Sequence, residues 1–440
     1  MTEEIFDRIS ASLTRISPTR PVGKISAVKG SHVEIAGLNG HAKVGDTVQI
    51  LGASQKGDIV SVCPTGVTAM MDGPTDGLSP GLHAALSRRT PFAPHNGWIG
   101  RVVDPDGLPL DGRPLLPACA DVPLHAPPPA AADRRGLGAR LSTGFAVFDT
   151  ILPIVRGQRI GLFSGSGVGK STLLSSLAKK VDADVIVIGL VGERGRELRE
   201  FVENALGADG MARSVVIAAT SDRPAKTRRA CPMAATAVAE FFRDQGKQVL
   251  LLIDSITRFA EAHREIAVAA GEAASLRGHP ATTPAAIAGL CERAGPGLES
   301  QGDITAIYTV LVSGSDMEEP VADMLRGVLD GHIVLDRTIA ERGRFPAIDV
   351  TRSVSRSLPQ AANPAENKLI SQARHLMGTY AQSELMIQSG LYVDGSDAKI
   401  DAAIATRDAL EKFVANEGTQ GIAGSYRLLQ RALASDKSGP

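Results

Sequence analysis

Arg159 Ile160 Gly161 Leu162 Phe163 Ser164 Gly165 Ser166 Gly167 Val168 Gly169 Lys170 Ser171 Thr172 Leu173 Leu174 reads as an apolar strand, a glycine-rich turn and the start of a helix. The glycines at 165, 167 and 169 let consecutive backbone amides turn inward on an anion, because no Cβ blocks a positive φ or a close approach. Ser164 to Thr172 then form a cradle in which Lys170 reaches terminal phosphates and Ser171 offers its hydroxyl to Mg²⁺. The helix that follows points its positive end at the same charge. This order of elements calls for a nucleoside triphosphate with Mg²⁺. The strict pattern has glycine six residues before the lysine, where this chain has Ser164. Gly165 is therefore expected to take the unusual dihedral by which the chain leaves the strand.

Two further apolar strands end in carboxylates. Val249 Leu250 Leu251 Leu252 Ile253 runs into Asp254, and an aspartate at a strand tip beside a phosphate loop can hold the Mg²⁺ shell through water. Val185 to Val191 runs into Gly192 Glu193 Arg194 Gly195 Arg196. Hydrolysis needs a group to orient or deprotonate the attacking water, and Glu193 is the candidate. By spacing alone it could equally pair with Arg194 or Arg196.

The bulk properties narrow the class. The 440 residues are long enough for two or three domains, and 43% hydrophobic residues suffice for packed cores. Lysines and arginines number 47 against 48 acidic residues, so no overall field draws the chain to nucleic acid or anionic lipid. Aromatics make up 4% of the chain, with Trp98 the sole tryptophan, which disfavours a base-stacking platform. Nucleic acid is accordingly not an expected partner. Cys63, Cys119, Cys231 and Cys291 lack the paired spacing of a zinc site or a disulfide framework, pointing to a reducing cytoplasm. Charges at Glu3, Glu4, Asp7, Arg8 and Arg15 argue against a secretory signal.

Along the chain, Ile5, Phe6, Ile9, Leu13 and Ile16 recur at helical spacing, so residues 1–20 read as an amphipathic helix that packs on its own domain or docks a partner. Residues 21–95 carry short alternating runs, Val22–Val28, His32–Ile35, Thr47–Leu51, Asp58–Val62 and Val67–Met71, as a small β-barrel requires. Within residues 96–362, buried strands Gln158–Phe163, Val185–Val191, Ser214–Ala218, Gln248–Ile253 and Ile304–Leu311 alternate with helical stretches, the pattern of a parallel α/β sheet. The proline-rich stretch from Asp121 to Arg135 reads as a stiff connection. Residues 363–440 are expected to be helical at Lys368–Gly390 and Ala398–Val414, with a loose tail from Ala434.

Taken together, Ile160–Leu174, Leu190–Phe201 and Asp254 Ser255 Ile256 Thr257 Arg258 Phe259 Ala260 Glu261 resemble the flagellum-specific export ATPases, relatives of virulence-type secretion ATPases and of the catalytic subunit of the rotary ATP synthase. The resemblance continues through Gly331–Leu335 and Pro346–Val350 to the helical end. It implies an α/β RecA-like P-loop core with a parallel sheet, preceded by a small β-barrel and followed by an α-helical domain. It also implies Mg²⁺-dependent ATP hydrolysis that energises type III export of flagellar proteins. Carried onto matching positions, Lys170 and Ser171 would bind phosphates and metal, and Glu193 would activate water. Arg194 and Arg258 would sit near the γ-phosphate, and Asp254 would hold the metal through water. Phe345 would face adenine. Arg356 would enter the neighbouring subunit's site, a role worth about 10³ to 10⁵ in rate.

The same resemblance implies a homohexamer and a set of partners. These are a stator-like regulator on the N-terminal helix, a stalk protein, export-gate components, export substrates and chaperones. The expected location is cytoplasmic, peripherally attached to the export apparatus at the inner membrane. Gly271 Glu272 Ala273 Ala274 Ser275 Leu276 Arg277 Gly278 His279 Pro280 departs from the family by lacking paired prolines after Gly-Glu, in a loop expected near the pore. His263 and His279 read as solvated loop histidines rather than ligands. The rival functions are an injectisome ATPase of the same chemistry, a ring subunit that binds nucleotide without hydrolysis, and an RNA translocase.

Overall fold

Alternation of buried Val and Ile with exposed polar residues folds the first strands into a curved sheet that closes on itself. The computed structural model describes residues 19–87, 92–115, 121–273, 278–312, 317–418 and 420–434. The amphipathic helix expected within residues 1–20 therefore lies almost wholly outside the described residues, as do 274–277 of the pore-loop stretch and the tail beyond Ala434.

β1 (Val22–Lys29), β2 (His32–Ala36), β3 (Thr47–Ile50), β4 (Lys56–Cys63), β5 (Gly66–Met71) and β6 (His83–Ser87) form a closed antiparallel barrel in the order β1-β2-β5-β4-β3-β6. Ile25, Val33, Ile35, Val48, Ile50, Ile59 and Val67 fill its interior. β6 was not among the sequence expectations, because Ala84 and Ala85 on its two faces give little hydrophobic contrast. It nevertheless closes the barrel by pairing with both β1 and β3. The barrel rests on the next domain through Met70 against Ala225, Ala262 and Ile266, and through Lys226 Nζ on Asp58 Oδ1 at 2.6 Å.

The central sheet combines β7 (Arg101–Val103), β8 (Arg159–Ser164), β9 (Val185–Glu193), β10 (Ser214–Thr220), β11 (Val249–Asp254), β12 (Gly295–Pro296), β13 (Asp303–Leu311), β14 (Gly331–Leu335) and β15 (Ile348–Ser355). The order is β15-β14-β8-β13-β11-β9-β10-β7, with β12 beside β13. From β14 to β7 the neighbours run parallel, while β15 is antiparallel to β14. Continuous apolar runs such as Val185–Val191 are buried throughout because helices cover both faces of the sheet. Parallel strands end on the same side. This brings the C-termini of β8, β13, β11 and β9, at Ser164, Leu311, Asp254 and Glu193, into one row.

Three helices complete the described chain: Pro364–Gln388, Ala398–Val414 and Gly421–Ala434. The first is started by an Asn363/Glu366 capping box. The third was not expected from the sequence, since Gly421 and Gly424 weaken its local propensity. Tertiary contacts hold it: Ser425 donates to the buried Asp149 at 2.8 Å, and Arg140 donates to the Tyr426 hydroxyl at 3.0 Å. His263 also departs from expectation. It lies within the helix Ile256–Ala269, stacked on Phe259 and hydrogen-bonded to Thr282 at 2.9 Å, rather than in a solvated loop. Among the described residues no helix is long and apolar enough to cross a membrane.

Candidate active site

Where β8 ends, the chain turns through Gly165–Gly169 into the helix Lys170–Lys180. The positive dihedrals fall at Gly167 (φ 78°) and Gly169 (φ 83°), which caps that helix. Gly165, expected to carry one, does not. Ser164 therefore leaves the strand without a left-handed residue beside it, and the first left-handed residue is Gly167. Its own hydroxyl is fully buried without a hydrogen-bond partner.

Lys170 folds back from the first turn of its helix to pair with Asp254 Oδ1 at the tip of β11. Thr309 Oγ1, from the neighbouring β13, donates to the same oxygen at 2.7 Å. Asp254 is 4% exposed, so the ammonium and the hydroxyl supply the compensation that a buried carboxylate requires. One strand away, the carboxyl of Glu193 is pushed up to about 7, by burial first, then by the charge of Asp254 and a hydrogen bond with Glu197. A carboxyl poised there can accept a proton near neutral pH.

The phosphate loop, Lys170, Ser171, Glu193, Arg194 and Arg258 border one open cleft of about 660 Å³. Arg194 is largely solvated, with Nη1 at 3.3 Å from Glu197. Arg258 pairs with Glu261 at 2.9 Å, and its stem would lie 3.3 Å from a Cβ at Gly192, so glycine is what lets it pass the end of β9. Phe345 comes to the other side of the loop: its ring would lie 3.2 Å from a Cβ on Gly169, and 52% of it is exposed. An exposed phenylalanine beside a phosphate cradle is a surface able to stack on a planar base.

Arg356 is not brought to this cleft. Its backbone N–H donates to Asp330 O, and Asp330 in turn binds Arg159 at the start of β8. The loop lies at the other end of that strand, about 20 Å away for six residues. The exposed guanidinium donates to Arg326 O at 3.2 Å.

Sequence reasoning missed Thr309, which supports Asp254, and Glu197, Ser221 and Arg228, which line the cleft. Thr309 left a readable signal, a small polar side chain near the end of the expected buried strand Ile304–Leu311. Arg228 left none, since its partner Glu265 at 2.8 Å is remote in sequence and only helix packing joins them.

Comparisons with known proteins bear on this arrangement. Residues 144–355 match the ATP synthase alpha/beta family nucleotide-binding domain, and residues 362–421 match the T3SS EscN ATPase C-terminal domain. The flagellum-specific ATP synthase of Caulobacter vibrioides is 43% identical over 97% of this chain and 99% of its own. The chain belongs to the flagellum-specific ATP synthase and type III secretion ATPase family. Among solved structures, the assembled ATPase EscN of the enteropathogenic E. coli type III secretion system superposes with a TM-score of 0.85 at 34% identity, covering 94% of this chain and all of that one. EscN in complex with its central stalk EscO gives 0.82 at the same identity, with the same coverage of both chains. As a member of this family the chain is an ATPase with a barrel, a RecA-like nucleotide-binding core and a helical C-terminal region.

Proposed function

We propose that this chain is a Mg²⁺-dependent ATPase that works as a homohexameric ring and energises type III export of flagellar proteins. The observation that carries the reading is the convergence of Lys170, Asp254 and Glu193 at the ends of adjacent parallel strands, beside the phosphate loop. Identity does not separate the two pathways, since flagellum-specific ATP synthases match at 38–43% and a type 3 secretion system ATPase at 40%.

The oxygen donors fit a hard divalent cation. Ser171 offers a hydroxyl, and both contacts to Asp254 fall on Oδ1, leaving Oδ2 for a metal-bound water. When bound, Mg²⁺ would neutralise charge on the transferring phosphoryl oxygens. The chain's own residues do the rest. Triphosphate in the loop draws Lys170 from Asp254 onto the phosphates. Glu193, in its ionised form, orients the attacking water and accepts its proton. Arg194 and Arg258 face the developing charge from the cleft wall, and Phe345 stacks on the adenine. Arg356 completes the site of the adjoining copy, so hydrolysis is coupled to closure between subunits.

In this reading residues 1–20 dock a stator-like regulator, and a stalk protein of the kind solved with EscN engages the ring. Export-gate components, cargo and chaperones are the remaining partners, with the ring sited in the cytoplasm against the inner membrane. The deciding experiment is Glu193→Gln: ATP binding, followed by titration calorimetry, should stay nearly intact while phosphate release stops. Undiminished turnover would remove Glu193 from the mechanism. Deleting the gene and scoring filaments against effector secretion separates the flagellar from the injectisome pathway.

A further inference from the structure

Phe345 sits in a short loop between the helix Arg337–Glu341 and β15, and the cations beside it are anchored outside the nucleotide-binding core. Arg344 Nε is ion-paired with Glu411 Oε2 at 2.5 Å, on the helix Ala398–Val414. The same guanidinium donates through Nη1 to Pro346 O at 3.2 Å and through Nη2 to Ile348 O at 2.8 Å. One planar fork thus grips both the loop that carries Phe345 and the helical domain. The arginine side chain is 10% exposed and that of Glu411 40%, so solvent and salt screen the pair in part. Arg342 repeats the link at 2.9 Å to Glu384 on the helix Pro364–Gln388, but is half-exposed and contributes less.

A cavity of about 180 Å³ separates this loop from the two helices, with Ile339, Leu376, Met377 and Leu410 in its wall. Arg407 stacks over Tyr380 at 4.5 Å and ties the helices to each other across it. The loop is therefore held to the helical domain by ionic contacts beside this cavity, next to the apolar cluster that Ile348 and Val350 share with Leu376 and Leu410. Such contacts transmit a shift of one side to the other.

We propose that Arg344 and Glu411 are positioning residues for Phe345, so that occupation of the base site and seating of the helix Ala398–Val414 form one equilibrium. The proposal rests on the reading of Phe345 as the base-facing ring. Because coupling is reciprocal, loosening the helix must weaken the hold on the base, and binding the base must tighten the helix. Groups that touch only phosphates should not sense it.

The test uses the full-length protein and Glu411→Gln, which keeps the side chain's size at a 40% exposed position. KM for MgATP should rise about two- to tenfold with kcat little changed, the range expected for losing one partly screened ion pair. The inhibition constant of magnesium tripolyphosphate, which has no base, should stay the same. Amide exchange across Ala398–Val414 should slow on adding MgADP in the unaltered protein and not in Glu411→Gln. In a Phe345→Ala background, Glu411→Gln should add nothing further. A Glu411→Gln protein with unchanged KM, or one that loses ATP and tripolyphosphate equally, overturns the coupling. If Phe345→Ala is selective for ATP while Glu411→Gln is silent, the coupling alone falls. If Phe345→Ala itself weakens both ligands equally, the base-site reading falls with it.

Discussion

Lowering the pH from 8 to 6 should reduce kcat/KM for ATP about tenfold, and the cause is a single carboxyl. Glu193 is raised from 4.5 to about 7 by burial, by the charge of Asp254 and by the hydrogen bond with Glu197. With that value, about nine-tenths of the sites carry the carboxylate at pH 8 and about one-tenth at pH 6. The profile of kcat/KM reports the free enzyme, so the limb should appear near 7. Phosphate release at ATP well below KM and constant ionic strength measures it.

ATP itself titrates in the same region, and Glu197→Gln separates the two sources. Removing the neighbouring charge should move the limb to lower pH, which the substrate's own titration cannot do. Folding supplies an independent check of sign. The folded value is raised, so ionising Glu193 costs stability, nothing below about 4.5, increasing between 4.5 and 7, and in full above 7. The shift alone would give about 3 kcal/mol, and screening at a partly exposed carboxyl reduces this to about 1 kcal/mol. Glu193→Gln should therefore unfold at a higher temperature than the unaltered protein at pH 8 and at nearly the same temperature at pH 4.5. A flat rate profile between pH 6 and 8, or identical profiles with and without Glu197, would refute the assignment.

Lys170→Met should abolish MgATP binding in calorimetry and also destabilise the fold by about 3 kcal/mol, because Asp254 is left buried without its cation; adding Asp254→Asn should restore most of that stability but not the binding. An Arg356→Ala protein mixed with a Lys170→Ala protein should regain turnover at hybrid interfaces, and mixtures that stay inactive at every ratio would count against an arginine acting in trans. Gly169→Ala should cost about 1–2 kcal/mol of stability through its φ of 83° and raise KM for ATP by displacing Phe345, read by thermal unfolding and steady-state kinetics.

The contiguous parts of this site were legible before any fold was known. A glycine-rich turn between strand and helix encodes its own geometry, and an apolar run that ends in a carboxylate announces a buried strand with a polar tip. The expected core strands match β8, β9, β10, β11 and β13 to within two residues at each end. Weak local signals account for the omissions. β6 has only alanines at its two fully buried positions, and the helix Gly421–Ala434 opens on glycine, so each forms because a neighbour needs its surface covered. The loop dihedrals were misassigned from Gly165 to Gly167 and Gly169 because several glycines could supply the same turn, and the surrounding strand and helix select which do.

Sequence alone determined the chemistry available to this protein: which anion the loop can hold, which acids stand at strand tips, and that the core alternates strand and helix. These follow from residues close together in the chain, where spacing and geometry are nearly the same thing. Tertiary structure decided what the chemistry acts through. It set Thr309 behind Asp254, raised Glu193 by burying it one strand from another carboxylate, carried Arg356 to the far end of β8, and joined Phe345 to the helical domain through Arg344 and Glu411. Those relations depend on strand order and helix packing between segments tens to hundreds of residues apart, and no local pattern specifies the distance across such a gap.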